Sequence, residues 1–361
     1  MPKSIKHLLI GSTEPYSGKS AVVLAIAHHL QAQEVDIAYG KPVGAYREDS
    51  QTAILDADVQ FVAETLSLPK TRLLPTLLFL EEKAIQQRLR GADQRDYLES
   101  LGRYLERQEG DLLLLEGPGT LDEGSLFNLT LMDIAESLDA SVLLVSRFCS
   151  TLSVDSLLAA KQRLGDRLLG GIINNVPSEK NEVAETLIKP FLEQQGIPVF
   201  GLFPSSTLLQ SVTVSELVHQ LEATVLCCGD RLELMVEELT IGAMNVNAAL
   251  EYFRKGNNMA VVTGSDRTDI QLAALETSTH CLILTGHTAP SPMILGRAEE
   301  LEIPIISVDL DTLTTVEIID RTFGQVRLHE PAKVHYIRQK LAQHFDIDRL
   351  LQALGLEPAA V

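Results

Sequence analysis

Basic side chains are in short supply. The 361 residues carry 30 Lys and Arg against 49 Asp and Glu, a formal net charge of −19. The acidic excess runs through both halves, so neither offers the basic surface that nucleic acid or an anionic membrane needs. A small local anion site stays open. Cysteine is equally sparse: Cys149, Cys227, Cys228 and Cys281 form no C-x-x-C pair and no repeated spacing. That excludes a patterned zinc or disulfide framework and suits a reducing compartment. Long apolar runs are missing as well. The stretches at 112–115 and 142–145 fall far short of the ~20 residues of a membrane helix, and the apolar run near the start is too short for a signal peptide. The expectation is a cytoplasmic protein with no nucleic-acid and no membrane partner. With 23 Gly, 15 Pro and a 45% hydrophobic content, the chain is neither collagen-like nor disordered. Its length suggests about two domains.

What is present is an alternation of strand and helix patterns. Short apolar runs at 7–10, 36–40, 111–116, 141–146, 170–175 and 198–203 read as strands. Segments 20–33, 58–66 and 95–109 read as helices. Four consecutive leucines at 112–115 suit a strand buried on both faces. Such alternation predicts a parallel sheet covered by helices, an α/β fold. Near Pro204 the text becomes small and polar, which places a boundary between 204 and 212. Beyond it, strands are expected at 224–228, 259–263, 280–285 and 304–308, with helices at 269–275, 293–301 and 334–344. A leucine-rich helical tail closes the chain. The expected domains are 1–207, 208–330 and a helical tail over 331–361.

The first strand runs into Gly11-Ser-Thr-Glu-Pro-Tyr-Ser17-Gly18-Lys19-Ser20. A Gly-rich turn between a strand and a helix presents backbone N–H groups and a partial positive charge to phosphate. Lys19 has the reach for β- and γ-phosphates, and the Ser20 hydroxyl suits a Mg²⁺ shell. Six residues separate Gly11 from Gly18, against four in the common G-x4-G-K-[ST] spacing, but the Ser17–Ser20 end is intact. Two further segments fall at strand carboxyl ends, where open α/β sheets bind ligands: Lys41-Pro-Val-Gly and Glu116-Gly-Pro-Gly. Glu116 is a natural metal or water-orienting carboxylate, and Lys41 a natural partner for phosphate or carboxylate. Asp56 and Asp58 are further candidate metal ligands, although Asp58 also suits a helix cap.

These segments, with 170–177 and 197–204, resemble the dethiobiotin synthetase-like P-loop ATPases, and more closely the N-terminal region of long phosphate acetyltransferases. The resemblance covers most of residues 1–204. It implies ATP and Mg²⁺ as cofactors. Gly11, Ser17, Gly18, Lys19 and Ser20 would form the phosphate site, with Ser20, Asp56 or Asp58 and Glu116 around the metal. Lys19 and Lys41 would lie at the transferred phosphate, and Asn174 or Asn175 at the adenine. Synthetases have five residues between the loop glycines and a Ser where this chain has Ala45, so the biotin-precursor site is not expected. Residues 211–325 resemble a DRTGG domain, a smaller α/β unit with regulatory associations. Asp266, Arg267 and Thr268 are its signature and the regulatory candidates, and His287 replaces the second glycine.

Read without the resemblance, Asp266 or Thr268 serves as a helix cap. The histidines at 28, 29, 219, 280 and 287 lack metal-ligand spacing. Three functions follow: a nucleotide-responsive regulator, an ATP-dependent synthetase acting on a small carboxylate or carbamate, and a phosphate acetyltransferase. The chain ends at Val361, about where an acetyl-transferring domain would begin, so stand-alone acetyl transfer is not expected. Weak ATPase or ligase activity is the open enzymatic alternative. The resemblance also implies a homo-oligomer, with a protein or small-molecule effector as the remaining partner class.

Overall fold

The computed structural model describes residues 5–44, 47–48, 55–104, 110–286, 288–324 and 330–356. Ala45 and His287 lie outside them. The chain divides into two compact units, one formed by 1–205 with 328–361 and the other by 206–327.

The first unit is built on seven strands: β1 (Lys6–Ser12), β2 (Ile37–Gly40), β3 (Leu73–Leu74), β4 (Leu112–Glu116), β5 (Ser141–Arg147), β6 (Leu168–Val176) and β7 (Val199–Pro204). Their order across the sheet is β3-β2-β4-β1-β5-β6-β7, and every pairing is parallel. The four leucines of β4 are fully buried, as a central strand covered on both faces requires. Helix α1 (Lys19–Ala32) follows β1, and its Val22–Ala27 run and Leu30 are buried. Helix α2 (Ala57–Thr65) follows a short antiparallel pair, Arg47–Glu48 with Leu55–Asp56. The order reverses at β1, which lies between β4 and β5. That is the switch point at which doubly wound sheets open a crevice at their carboxyl edge.

The C-terminal segment corrects the expected division. Residues 331–361 were expected as a tail domain of their own. They are helical where described, as Pro331–His344 and Ile347–Leu354, but they belong to the first unit. Val334, Ile337, Leu341 and Phe345 are buried. Phe345 stacks on Phe203 at 6.5 Å between centroids, and Asp346 N–H donates to the Phe200 carbonyl at 2.8 Å. Arg349 pairs with Glu193 at 2.7 Å. Gly201 permits this docking, because a Cβ there would meet the His344 carbonyl oxygen at 2.8 Å.

The second unit holds a five-stranded sheet of β8 (Thr224–Cys227), β9 (Glu238–Ile241), β10 (Met259–Gly264), β11 (Thr279–Thr285) and β12 (Ile305–Val308), in the order β8-β12-β11-β10-β9. Only β8 runs antiparallel to its neighbour. Helices Thr268–Leu275, Pro292–Glu300 and Thr312–Gly324 each follow one of the parallel strands. The helix expected over 95–109 is observed only as Tyr97–Gly102, with 105–109 outside the described residues. Helix Val154–Leu164 was not anticipated.

Candidate phosphate-binding site

The turn between β1 and α1 lies at the carboxyl edge of the sheet. Gly18 takes a left-handed conformation, φ +88°, as it enters α1. A side chain is excluded there twice over, by that φ and by the Asn174 amide, which occupies the space a Cβ would need. Asn174 Nδ2 donates to the Ser17 carbonyl at 2.8 Å, tying the end of β6 to the loop. Asn175, the neighbouring adenine candidate, has φ +59° where the pairing of β6 with β7 shifts register. Gly11 lies within β1 rather than in the turn, and a Cβ there would press on Leu131. Its glycine therefore serves close packing beneath helix Leu131–Ser137.

Lys19 and Ser20 converge on one carboxylate. The Ser20 hydroxyl donates to Glu116 Oε1 at 2.8 Å, and Lys19 Nζ stands 3.5 Å from the same oxygen. Glu116 ends β4 and is 1% exposed. Its other oxygen accepts from the Tyr39 hydroxyl at 3.1 Å. Burial, reinforced by Glu116, Asp58 and Asp56, pushes the Tyr39 phenol well above its ordinary value, so Tyr39 acts here as a donor only. Sequence reasoning missed Tyr39. Its signal was a tyrosine inside a short strand ending at the site, since a buried phenol needs a partner.

Lys41 lies among three carboxylates. Its Nζ is 3.0 Å from Asp56 Oδ1, 2.5 Å from Asp58 Oδ2 and 4.0 Å from Glu116 Oε1. Burial disfavours the ammonium, but Glu116, Asp58 and Asp56 outweigh it and hold the pKa well above the usual lysine range. Asp56 reaches this place because the short antiparallel pair folds it back on the end of β2. It also caps α2, accepting from Asp58 N–H at 3.0 Å. The cap is thus Asp56, where the sequence had suggested Asp58.

Among the described residues, two lysines face three carboxylates in this cluster. Among the described residues, no group of three His, Cys, Asp or Glu side chains is arranged to hold a metal by itself. The Ser20 and Glu116 oxygens beside the loop are nonetheless a hard-oxygen pair of the kind Mg²⁺ uses when phosphates and water complete its shell. The Ser17 hydroxyl is buried in the loop and has no hydrogen-bond partner among the described residues.

In the second unit the signature residues lie after β10. The N-cap of helix Thr268–Leu275 is Arg267, with no side-chain cap bond. The capping role expected of Asp266 or Thr268 is therefore not what these residues do. Arg267 donates to the Met244 carbonyl at 2.9 Å and pairs with Asp269 at 3.3 Å. His280 bonds through Nδ1 to the Met235 carbonyl at 2.6 Å, a packing role. No helix among the described residues is long and apolar enough to cross a membrane.

Residues 6–213 match the AAA domain family AAA_26, and residues 216–322 match the DRTGG domain. The chain is similar to the phosphate acetyltransferase of Synechocystis sp., 27% identical over 367 residues, with 96% of this chain and 51% of the relative covered. It is similar to that of Nitratidesulfovibrio vulgaris at 24% identity, with 95% and 51% covered. It thus spans about half the length of the curated relatives it matches. Among solved structures, the septum site-determining protein MinD with Mg-ADP from Pyrococcus horikoshii is 15% identical at a TM-score of 0.37, over 57% of this chain and 84% of that one. The parallel sheet, its phosphate loop at the switch point and the match over residues 6–213 converge: the chain belongs to the AAA domain family AAA_26, and its second unit is a DRTGG domain.

Proposed function

We propose that the first unit binds Mg·ATP and that the DRTGG unit responds to its nucleotide state, making the protein a nucleotide-responsive regulator. The observation that carries the reading is the convergence of Lys19, Ser20 and Glu116 at the start of α1. Lys19 would exchange Glu116 for the β- and γ-phosphates. Ser20 and Glu116 would hold the magnesium environment, which supplies charge neutralisation to the polyphosphate. Asn174 and Asn175, at the end of β6, are the adenine-side candidates. Self-association is part of the proposal, since two-fold dimers are the commonest oligomer.

The second reading is an ATP-dependent synthetase, with Lys41 at the transferred group. The geometry favours the regulator. Lys41 is committed to Asp56 and Asp58, and an ammonium so neutralised offers little to an incoming carboxylate or carbamate.

Hydrogen exchange of the full chain with and without Mg·ATP separates the two. The regulator reading expects slowed exchange over 11–20 together with altered exchange over 259–286, because coupling requires that the nucleotide distinguish two conformations. Response confined to the first unit, with ATP-dependent turnover of diaminopelargonate, would put the synthetase ahead.

A further inference from the structure

Of the two asparagines at the end of β6, Asn174 has its side chain committed to the phosphate loop. Its backbone lies opposite Arg147 of β5, and its carbonyl accepts from the Phe148 N–H at 2.7 Å. Its Nδ2 donates to the Ser17 carbonyl at 2.8 Å. The sheet therefore fixes where this amide stands, and the amide in turn holds one peptide of the loop.

The rest of the loop is pinned on either side of that peptide. On the entry side the Thr13 N–H donates to the Val145 carbonyl at 3.3 Å, and the Arg147 N–H donates to the Glu14 carboxylate. On the exit side the Gly18 carbonyl accepts from the Val22 N–H at 3.2 Å, as α1 begins. Between them the Ser17–Gly18 peptide is the one whose direction the chain itself leaves open, because Gly18 has no Cβ and sits at φ +88°.

A trans peptide is planar, with its carbonyl and its N–H pointing opposite ways. Drawing the Ser17 carbonyl onto Asn174 therefore turns the Gly18 N–H away from Asn174. The carbonyls of Ser17 and Gly18 are then both occupied, by Asn174 and by Val22. The first N–H groups of α1 have no intrahelical partner, and the helix has neither an acidic residue in its first turn nor a side-chain cap bond. What the turn offers an anion is N–H donors beside Lys19. With the peptide reversed, a carbonyl oxygen would stand where the Gly18 N–H stands and would repel phosphate.

We propose that Asn174 is a positioning residue for the polyphosphate: it sets the direction of the Ser17–Gly18 peptide, and its contribution to affinity does not depend on the base. The inference rests on the proposal that this unit binds Mg·ATP.

Ser17–Gly18 is the only Ser-Gly dipeptide in the chain. Labelling serine at its carbonyl carbon and glycine at its nitrogen therefore selects the Gly18 amide alone in the magnetic resonance spectrum of the full chain. Mg·ATP and Mg·tripolyphosphate are titrated separately into the parent and into Asn174→Ala. In the parent both should move the Gly18 amide proton downfield, as a new hydrogen bond to phosphate does. In Asn174→Ala the half-saturating concentration should rise about tenfold for both ligands, with a smaller shift of Gly18 at saturation. A merely structural role would weaken binding and leave that saturating shift unchanged. An unchanged shift would therefore overturn the inference, as would a loss confined to Mg·ATP, which would place Asn174 at the adenine. A parent that binds neither ligand would overturn the Mg·ATP reading and the inference with it. A parent that binds both, matched by Asn174→Ala, would overturn the inference alone.

Discussion

Shortening the chain to end at residue 329 is expected to abolish cooperative folding of the first unit. The removed segment buries Val334, Ile337, Leu341, Phe345, Leu350, Leu351 and Leu354. At about 1.5–3 kcal/mol per fully buried apolar side chain, their loss amounts to roughly 10–20 kcal/mol, an upper bound because the unfolded chain is not fully extended. Typical domain stability is about 5–15 kcal/mol, so the deletion removes most or all of it. It also uncovers Phe200 and Phe203, leaves the Phe200 carbonyl without Asp346 N–H, and unpairs Glu193. Thermal unfolding followed by calorimetry is the check. The shortened chain should lose the first unit's transition, and a transition of unchanged midpoint and enthalpy would show that the segment only decorates the unit.

Lys41→Met should destabilise the first unit by about 3–5 kcal/mol at pH 7, the cost of leaving buried charge without its partner. Asp56 and Glu116 are 0% and 1% exposed, so solvent does little to screen them. The pH dependence has a definite sign. In the parent chain the pKa of Lys41 is raised above its ordinary value of 10.5. Its contribution is therefore complete below that value and is lost only as pH rises through the higher folded value. Denaturant unfolding of both proteins at pH 7 and pH 9 should show the same gap, because both values lie below the ordinary lysine value. A variant as stable as its parent at pH 7 would mean that the three carboxylates do not depend on Lys41.

The parts of this molecule that were legible in sequence are those whose signals are local. Four leucines in a row announced β4, and Ser17-Gly18-Lys19-Ser20 between a strand and an apolar helix announced the phosphate loop. The glycine and the two polar side chains are needed within one turn of chain. Glu116 could be placed because it ends a strand. The commitment of Lys41 was not legible, since it depends on the antiparallel return that brings Asp56 back across the end of β2. Tyr39 was hidden for a similar reason: only the parallel pairing of β2 with β4 shows that its phenol meets Glu116. The C-terminal helices looked like an appendage because their partners, α1 and β7, lie far back in the chain. Amphipathic spacing announces a helix without naming the surface that covers it. In the second unit the Asp266–Thr268 signature was visible, but the reach of Arg267 to the Met244 carbonyl is a three-dimensional fact.

The central claim is that the β1–α1 turn holds the phosphates of Mg·ATP through Lys19. Isothermal titration of the full chain with Mg·ATP, beside the Lys19→Ala variant, tests it most directly. The account predicts measurable binding by the parent chain and an affinity lower by about 1.5–3 kcal/mol in the variant, roughly 10- to 100-fold, for the loss of a hydrogen bond between charged groups. Equal affinity in a folded Lys19→Ala protein, or no binding by the parent, would contradict it.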